Sequence, residues 1–185
     1  MKKYIFLFVF LVSILFVSCD KIKEIAEVDI KIDINADIPV VSQKVADGVY
    51  GFVGAGAFTL ADIPELEKYM DNLRNIVAED GSSIRFTGAV SGNKILSLKL
   101  RFGIQMDAGT IPELEVAIDH LGEIPANEGV IEYKDDKWTP KLINALNNNK
   151  DKALVLSIEG VANYSLNSIV KVKIPVTISA TPFNE

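Results

Sequence analysis

Between residues 28 and 35 the chain alternates strictly: Val28, Ile30, Ile32 and Ile34 are apolar, while Asp29, Lys31, Asp33 and Asn35 are polar. Period two places all the apolar side chains on one face of an extended strand, so the segment reads as half-buried β-structure. The signal recurs at Leu96, Leu98, Leu100, Phe102, Ile104 and Met106, and again at Val172, Ile174, Val176 and Ile178. Pro175 has no N–H to give to a ladder, so this last strand is expected at a sheet edge or with a bulge. Weaker strand patterns cover 48–60, 83–90, 129–134 and 153–162. About seven strands that mostly alternate predict a mainly β fold, an antiparallel two-layer β-sandwich with two short α-helices.

The first helix is expected after Asp62, which can cap it, with Pro64 in the opening turn and Glu65 at the capping-box spacing. Leu66, Tyr69, Met70, Leu73, Ile76 and Val77 then follow helical spacing. Thr139 and Pro140 open the second, Leu142, Ile143 and Leu146 form its apolar side, and Asn147–Asn149 end it. Residues 63–81 and 111–129 are identical at 10 of 19 positions, at an offset of 48. A duplicated supersecondary unit would explain this. Chance similarity of two capped segments is the simpler account, because the flanking strands do not align. Gly122 and Pro125 also keep any second helix short, or leave that segment extended.

The N-terminus follows a different rule. Lys2 and Lys3 precede an apolar run from Tyr4 to Val17, broken only by Ser13. As a helix it would be roughly 21 Å long, short of the ~20 apolar residues that a bilayer core requires. The order of charge, apolar run and small residue (Ser18) is that of a secretory signal. Cys19, the only cysteine, comes next. The stretch Leu15-Phe16-Val17-Ser18-Cys19 resembles the lipobox of bacterial lipoproteins, departing from it at Phe16, where leucine is commoner. The resemblance covers residues 1–19. It implies cleavage between Ser18 and Cys19, then acylation of the Cys19 thiol and the new amino group. Acylation also accounts for a lone cysteine in an exported chain, for which an ordinary secretory signal leaves no role. On this reading residues 1–18 are removed, 19–26 form a lipidated tether, and 27–185 form one domain. The side of the envelope is not assigned.

Charge narrows the partners. The whole chain carries −6, and losing Lys2 and Lys3 with the signal takes it to −8. An acidic surface argues against nucleic acid, whose phosphates require a basic patch. It argues equally against electrostatic docking on a membrane, so the acyl chains on Cys19 must provide the hold.

Candidate chemistry is sparse. Asp33-Ile34-Asn35-Ala36-Asp37 begins like a calcium loop, but Ile38 and Lys44 stand where glycine and glutamate belong, so it reads as a solvated strand face. Gly48, Gly51, Gly54 and Gly56 lack the spacing and the following helix of a nucleotide loop. They point to a bulge or close backbone packing. The alternative is space for an apolar ligand, which gives Tyr50, Phe52, Gly54, Gly56 and Phe58 as the candidate ligand-facing set. His120 is the only histidine. It has no cysteine partner for zinc, and Asn72 stands at its counterpart in the similar segment, so a surface or structural role is expected. Among the carboxylates, Glu65 and Glu113 sit in first turns, where a helix dipole favours them. Glu67, Asp71, Glu115 and Asp119 show no paired acid–base arrangement. Tyr133 and Trp138 flank a charged loop and are expected to anchor it. Asn163-Tyr164-Ser165 matches a glycosylation pattern of little weight in a bacterial chain. No nucleophile–base pair, metal cluster or phosphate loop is legible. The expectation is a membrane-anchored envelope lipoprotein, without enzymatic activity or cofactor, acting as a binding or interaction module for an envelope protein. The alternative is a carrier or sensor of a lipid or other apolar ligand.

Overall fold

A computed structural model describes residues 27–106 and 114–181. Nine strands are present among them: β1 Val28–Ala46, β2 Val49–Phe58, β3 Leu73–Ala78, β4 Ser83–Thr87, β5 Lys94–Ile104, β6 Glu115–Pro125, β7 Val130–Lys134, β8 Leu154–Ala162 and β9 Ser168–Ala180. One α-helix, α1, covers Thr139–Asn147, and 3-10 helical segments cover Leu60–Asp62, Pro64–Asn72 and Asp136–Trp138. All strands lie in one antiparallel sheet in the order β6-β5-β8-β2-β1-β9-β4-β7, with β3 added beside β9.

The expected β-rich antiparallel class with two helical regions is present, but the sheet does not divide into two layers. It curls into a nearly closed barrel, because β6 and β7, at the two ends of the strand order, follow one another in the chain through a hairpin turn. Alternation looks the same in a barrel wall and a sandwich layer, since in both one face is buried. In β1, Ile34, Ala36, Ile38 and Val40 point inward and are buried, while Asp33, Asn35 and Asp37 face out. β1 pairs β9 from Val28↔Ala180 to Val40↔Ser168, then pairs β2 from Val40↔Gly54 onward. A strand that changes partner along its length is one way to bend a sheet round.

Two segments differ from the expected helices. The Pro64–Asn72 run is 3-10 helical and ends before Leu73, and Leu73–Ala78 is a strand on β9. Leu73 and Ile76 are both buried, at a spacing of three that imitates a helix. The imitation comes from a register shift between Leu73 and Asn75: a bulge adds one residue to the period of two. Asp62 serves the shorter segment before it, where its carboxylate accepts from the Thr59 N–H at 3.1 Å. The Thr59 hydroxyl first, and then this Thr59 N–H, hold the Asp62 carboxyl below its usual range. Of the two similar segments, 63–81 is 3-10 helix followed by strand, whereas 115–125 is a strand throughout; residues 111–113 lie outside the described residues. The likeness is not a structural duplication.

β9 is not an edge either. Pro175 sits opposite Asp33 of β1. On its other side β4 pairs only Val170–Lys173 and β3 only Val176–Ala180. The Pro175 carbonyl accepts from Glu79 N at 2.9 Å, so the missing N–H faces Glu79 just past the end of β3, where the ladder has only half a rung left to make.

The interior is solid. Phe52 and Phe86 meet edge to face with ring centroids 5.8 Å apart. Phe52 lies over Gly160, its direct cross-strand partner, where a Cβ would collide with the ring. α1 sets Leu142, Ile143 and Leu146 into this core and bridges from β3 to β5 and β6, completing the wall beyond the end of β7.

Candidate functional site

The barrel fails to close at one place, and the local sequence accounts for it. β6 and β7 are joined by Ala126-Asn127-Glu128-Gly129, with Glu128 at φ 49° and Gly129 at φ 83°, the left-handed pair that a tight hairpin turn requires. Asn127 and Val130 exchange both backbone bonds, at 2.8 and 3.0 Å. In an antiparallel pair the next such rung lies two residues on, at Pro125 and Glu132. Pro125 has no N–H, and the Ala126 N–H is turned away to the Asn93 carbonyl at 2.9 Å. The hairpin therefore stops after one rung. β6 continues along β5 and β7 along β4, and no ladder joins β6 to β7.

The gap is held shut from inside by packing. His120 lies opposite the buried Leu98, and Tyr133 lies opposite the buried Ile84. Their rings meet across the gap at 5.3 Å between centroids, tilted by 59°. Gly122 leaves room for this, since a Cβ there would stand 3.2 Å from His120 Nε2. Outside the rings is a cleft of about 790 Å³, bordered by Glu123 and Ile124 of β6, Glu132 and Lys134 of β7, Arg85 of β4 and the turn residue Glu128. Glu132 is held by two cations, Lys134 Nζ at 3.0 Å and Arg85 Nε at 3.5 Å. Glu123 is paired with Lys94 at 2.6 Å. Burial first, then the Asp135 carboxylate, push the Tyr133 phenol above its usual value; the Oη–Oδ2 distance of 3.4 Å is long for a hydrogen bond.

The residues singled out from sequence are dispersed. Tyr50, Phe52, Gly54, Gly56 and Phe58 do share one face of β2, the inward one. The room beside them is already used. A Cβ on Gly54 would come within 2.5 Å of the Pro39 carbonyl, and one on Gly56 within 3.0 Å of the Asp37 carbonyl, so the glycines admit the backbone of β1. Ser18 and Cys19 lie outside the described residues, as does Glu113. Asp33, Asn35 and Asp37 line the outer face of β1, with Asp33 bound to Lys173 at 2.9 Å. Glu65, Glu67 and Asp71 lie on the 3-10 segment. Glu115 pairs with Lys141 of α1, and Asp119 with Lys99 at 3.6 Å. Trp138 is buried and anchors its loop as expected, and Asp136 ties that loop to the β3–β4 turn by accepting from Ser82 N at 2.7 Å. The Asn163 side chain bonds Lys94 N and the Gly92 carbonyl, holding a turn.

His120 and Tyr133, far apart in the chain, are brought together here. Sequence reasoning missed Pro125 and Glu132, whose signal was a proline two positions ahead of a hairpin turn. Among the described residues, no group of three or more His, Cys, Asp or Glu side chains is placed to hold a metal ion. No protein-family model matches the chain, and no curated protein matches it.

Proposed function

We propose that this chain is a lipid-anchored protein of the bacterial cell envelope whose barrel is a non-enzymatic binding module for an envelope protein. The observation that carries the binding part is the location of open space. The barrel interior is filled by the chain's own side chains, and the glycine face of β2 by β1 and Phe52. A cleft of about 790 Å³ opens outside, at the seam. A carrier of an apolar ligand requires the reverse, an enclosed apolar cavity. The anchor rests on residues 15–19 and their likeness to a lipobox. Each buried CH₂ of an acyl chain contributes about 0.8 kcal/mol, and two or more chains hold a protein firmly to one leaflet.

Two measurements test this reading. The full chain, expressed in bacteria supplied with an alkyne fatty acid, is expected to be labelled and membrane-bound. Cys19→Ala is expected to abolish the label; labelling that survives in that variant removes the anchor. Native mass spectrometry of the Asp20–Glu185 portion is expected to give the bare polypeptide mass. A lipid mass that leaves on denaturation would replace the binding module with a carrier.

A further inference from the structure

We propose that the outer wall of the barrel across β2, β8, β5 and β6 is a homodimer interface, on which a second copy of this chain seats its Leu121 over Gly51. The proposal goes beyond the binding-module reading above and does not rest on the lipid anchor.

The argument starts from alternation. Tyr50, Phe52, Gly54, Gly56 and Phe58 point inward from β2, so Val49, Gly51, Val53, Ala55 and Ala57 point out. The outer face of β2 thus carries no polar side chain, although the strand lies in the middle of the sheet with a filled barrel behind it. Neighbouring strands extend the apolar surface. Val41 stands opposite Val53, and Val161 opposite Gly51. Val41 and Val53 are 65% and 57% exposed, and Leu121 on β6 is 85% exposed. One row crosses the wall through Gly51, Val161, Ser97 and Leu121, each the cross-strand partner of the next. A contiguous exposed apolar face of this kind marks an interaction surface.

Shape and charge select the occupant. A hollow of about 370 Å³ lies over this row, with Gly51, Val53 and Val161 on one side and Leu121 on the other. The nearest atom to a Cβ built on Gly51 is Val45 Cγ1, at 3.4 Å. The patch therefore carries both a knob, Leu121, and a hole, Gly51, three strand spacings or about 14 Å apart. A twofold axis between them, beside Ser97, puts each leucine into the other copy's hollow. That is the self-complementarity an isologous dimer requires. Charge permits it. The chain carries −6, but the charged groups of this wall are closed on themselves, Arg101 with Glu159 at 2.8 Å and Lys99 with Asp119 at 3.6 Å. Two acidic chains thus meet at a neutral face. Four strands of about 4.8 Å, over the 10 residues of β2 at about 3.3 Å each, cover roughly 600 Å² per copy and about 1,200 Å² in all, the lower end of specific interfaces. Short valine, alanine and glycine side chains suit a second sheet packed face to face. A bilayer surface calls instead for aromatic and basic side chains, which β2 does not present outward.

The test cross-links the full chain in expressing bacterial cells with a membrane-permeant bis-maleimide of about 10 Å reach, matched to the spacing of two packed sheets. Ser97→Cys places a thiol beside the axis, and Asn35→Cys places one on the exposed outer face of β1, outside the patch. Wild type, whose only cysteine is Cys19, is the blank. Ser97→Cys is expected to give a species of twice the chain mass that Asn35→Cys and wild type do not give. Leu121→Asp removes the knob at a solvent-exposed position, and Gly51→Val fills the hole, where its close neighbour is the exposed Val45 side chain. Each, added to Ser97→Cys, is expected to cut the yield about tenfold or more, the scale of one leucine side chain lost from a buried contact. A Ser97→Cys yield no higher than that of Asn35→Cys overturns the proposal, also where lipid and not a second copy shields the thiol. So does a yield that Leu121→Asp or Gly51→Val leaves unchanged. A wild-type dimer would reveal a free Cys19 thiol and count against acylation; the interface is judged by the excess over wild type, so the two readings fail separately.

Discussion

Asn147, the last residue of α1, tests the account of how the helix is attached. Its side-chain amide donates to the Ile76 carbonyl at 2.7 Å and accepts from the Ile76 N–H at 2.8 Å. It thus acts toward the outer edge of β3 as a neighbouring strand would. Ile76 is 2% exposed, so water has little access to these groups. Asn147→Ala removes two bonds, each contributing ~0.5–1.5 kcal/mol net, and leaves a buried donor and acceptor whose desolvation costs ~1–3 kcal/mol each. With partial relaxation of the helix end, the loss is about 2–4 kcal/mol. Urea unfolding at neutral pH should show it as a lower midpoint with an unchanged slope. Asn147→Asp adds a sign test. The charged carboxylate sets an oxygen against the Ile76 carbonyl, so at neutral pH it should cost at least as much as alanine. Protonated, it can donate again. The folded state therefore raises that carboxyl's pKa, and the stability this recovers is present at low pH and lost as pH rises through the raised value. A loss under about 1 kcal/mol for Asn147→Ala, or an Asn147→Asp deficit that does not shrink in acid, would refute the clamp.

Other substitutions probe separate parts of the fold. Gly160→Ala should destabilise by about 1–3 kcal/mol in the same assay, because its methyl group collides with the Phe52 ring and the Ser97 carbonyl. Phe52→Ala empties the centre of the core and should cost about 3–5 kcal/mol. Lys141→Met breaks an ion pair whose side chains are 60% and 54% exposed, and should change stability by less than about 0.5 kcal/mol. Asp62 titrates below its usual range in the folded chain, so its stabilisation is present above the ordinary carboxylate pKa and is lost as pH falls through the lowered one. Asp62→Asn should accordingly be less stable than wild type near neutrality, with the gap closing in acid.

What the sequence disclosed depended on whether a residue's role was local. The alternation of β1 and β9, the apolar side of α1 and the anchoring role of Trp138 follow from neighbours within a few positions, and all were legible. Closure was not, because nothing in an alternating strand records whether the last strand returns to the first. β3 was read as helix because its bulge gives Leu73 and Ile76 the spacing of a helical turn. β6 was hidden in the same way. Register shifts opposite Ser97 and Arg101 break its period of two, and Leu121 stands 85% exposed where a simple pattern would bury it. The face of β2 was assigned correctly, but which chain fills the space beside its glycines is a tertiary fact. The seam was half legible: Asn-Glu-Gly marks a turn, and the proline before it marks a missing donor, but the rung it spoils is defined only once Val130 is known to pair with Asn127.

Pro125 and Pro175 carry the same covalent defect at different places in their ladders. Each removes one N–H from a strand. Pro175 directs the loss toward Glu79, just past the end of β3, where its own carbonyl still accepts from the Glu79 N–H at 2.9 Å. Pro125 directs it toward Glu132, whose carbonyl loses a donor while the Pro125 carbonyl still stands opposite the Glu132 N–H. The barrel is therefore closed along this seam by the packing of the His120 and Tyr133 rings and not by a ladder, while α1 is tied to the far end of β6 by the Lys141–Glu115 pair. Ring packing of this kind is worth about 0.5–1.5 kcal/mol beyond burial, and an exposed ion pair about 0–1. A continued hairpin would have cost the protein nothing structurally, since the strands are already adjacent in sequence and antiparallel. The unzipped hairpin leaves a cleft at the seam bordered by both acidic and basic side chains. The open space thus lies at the seam and not in the filled interior, and the proposed binding module rests on that.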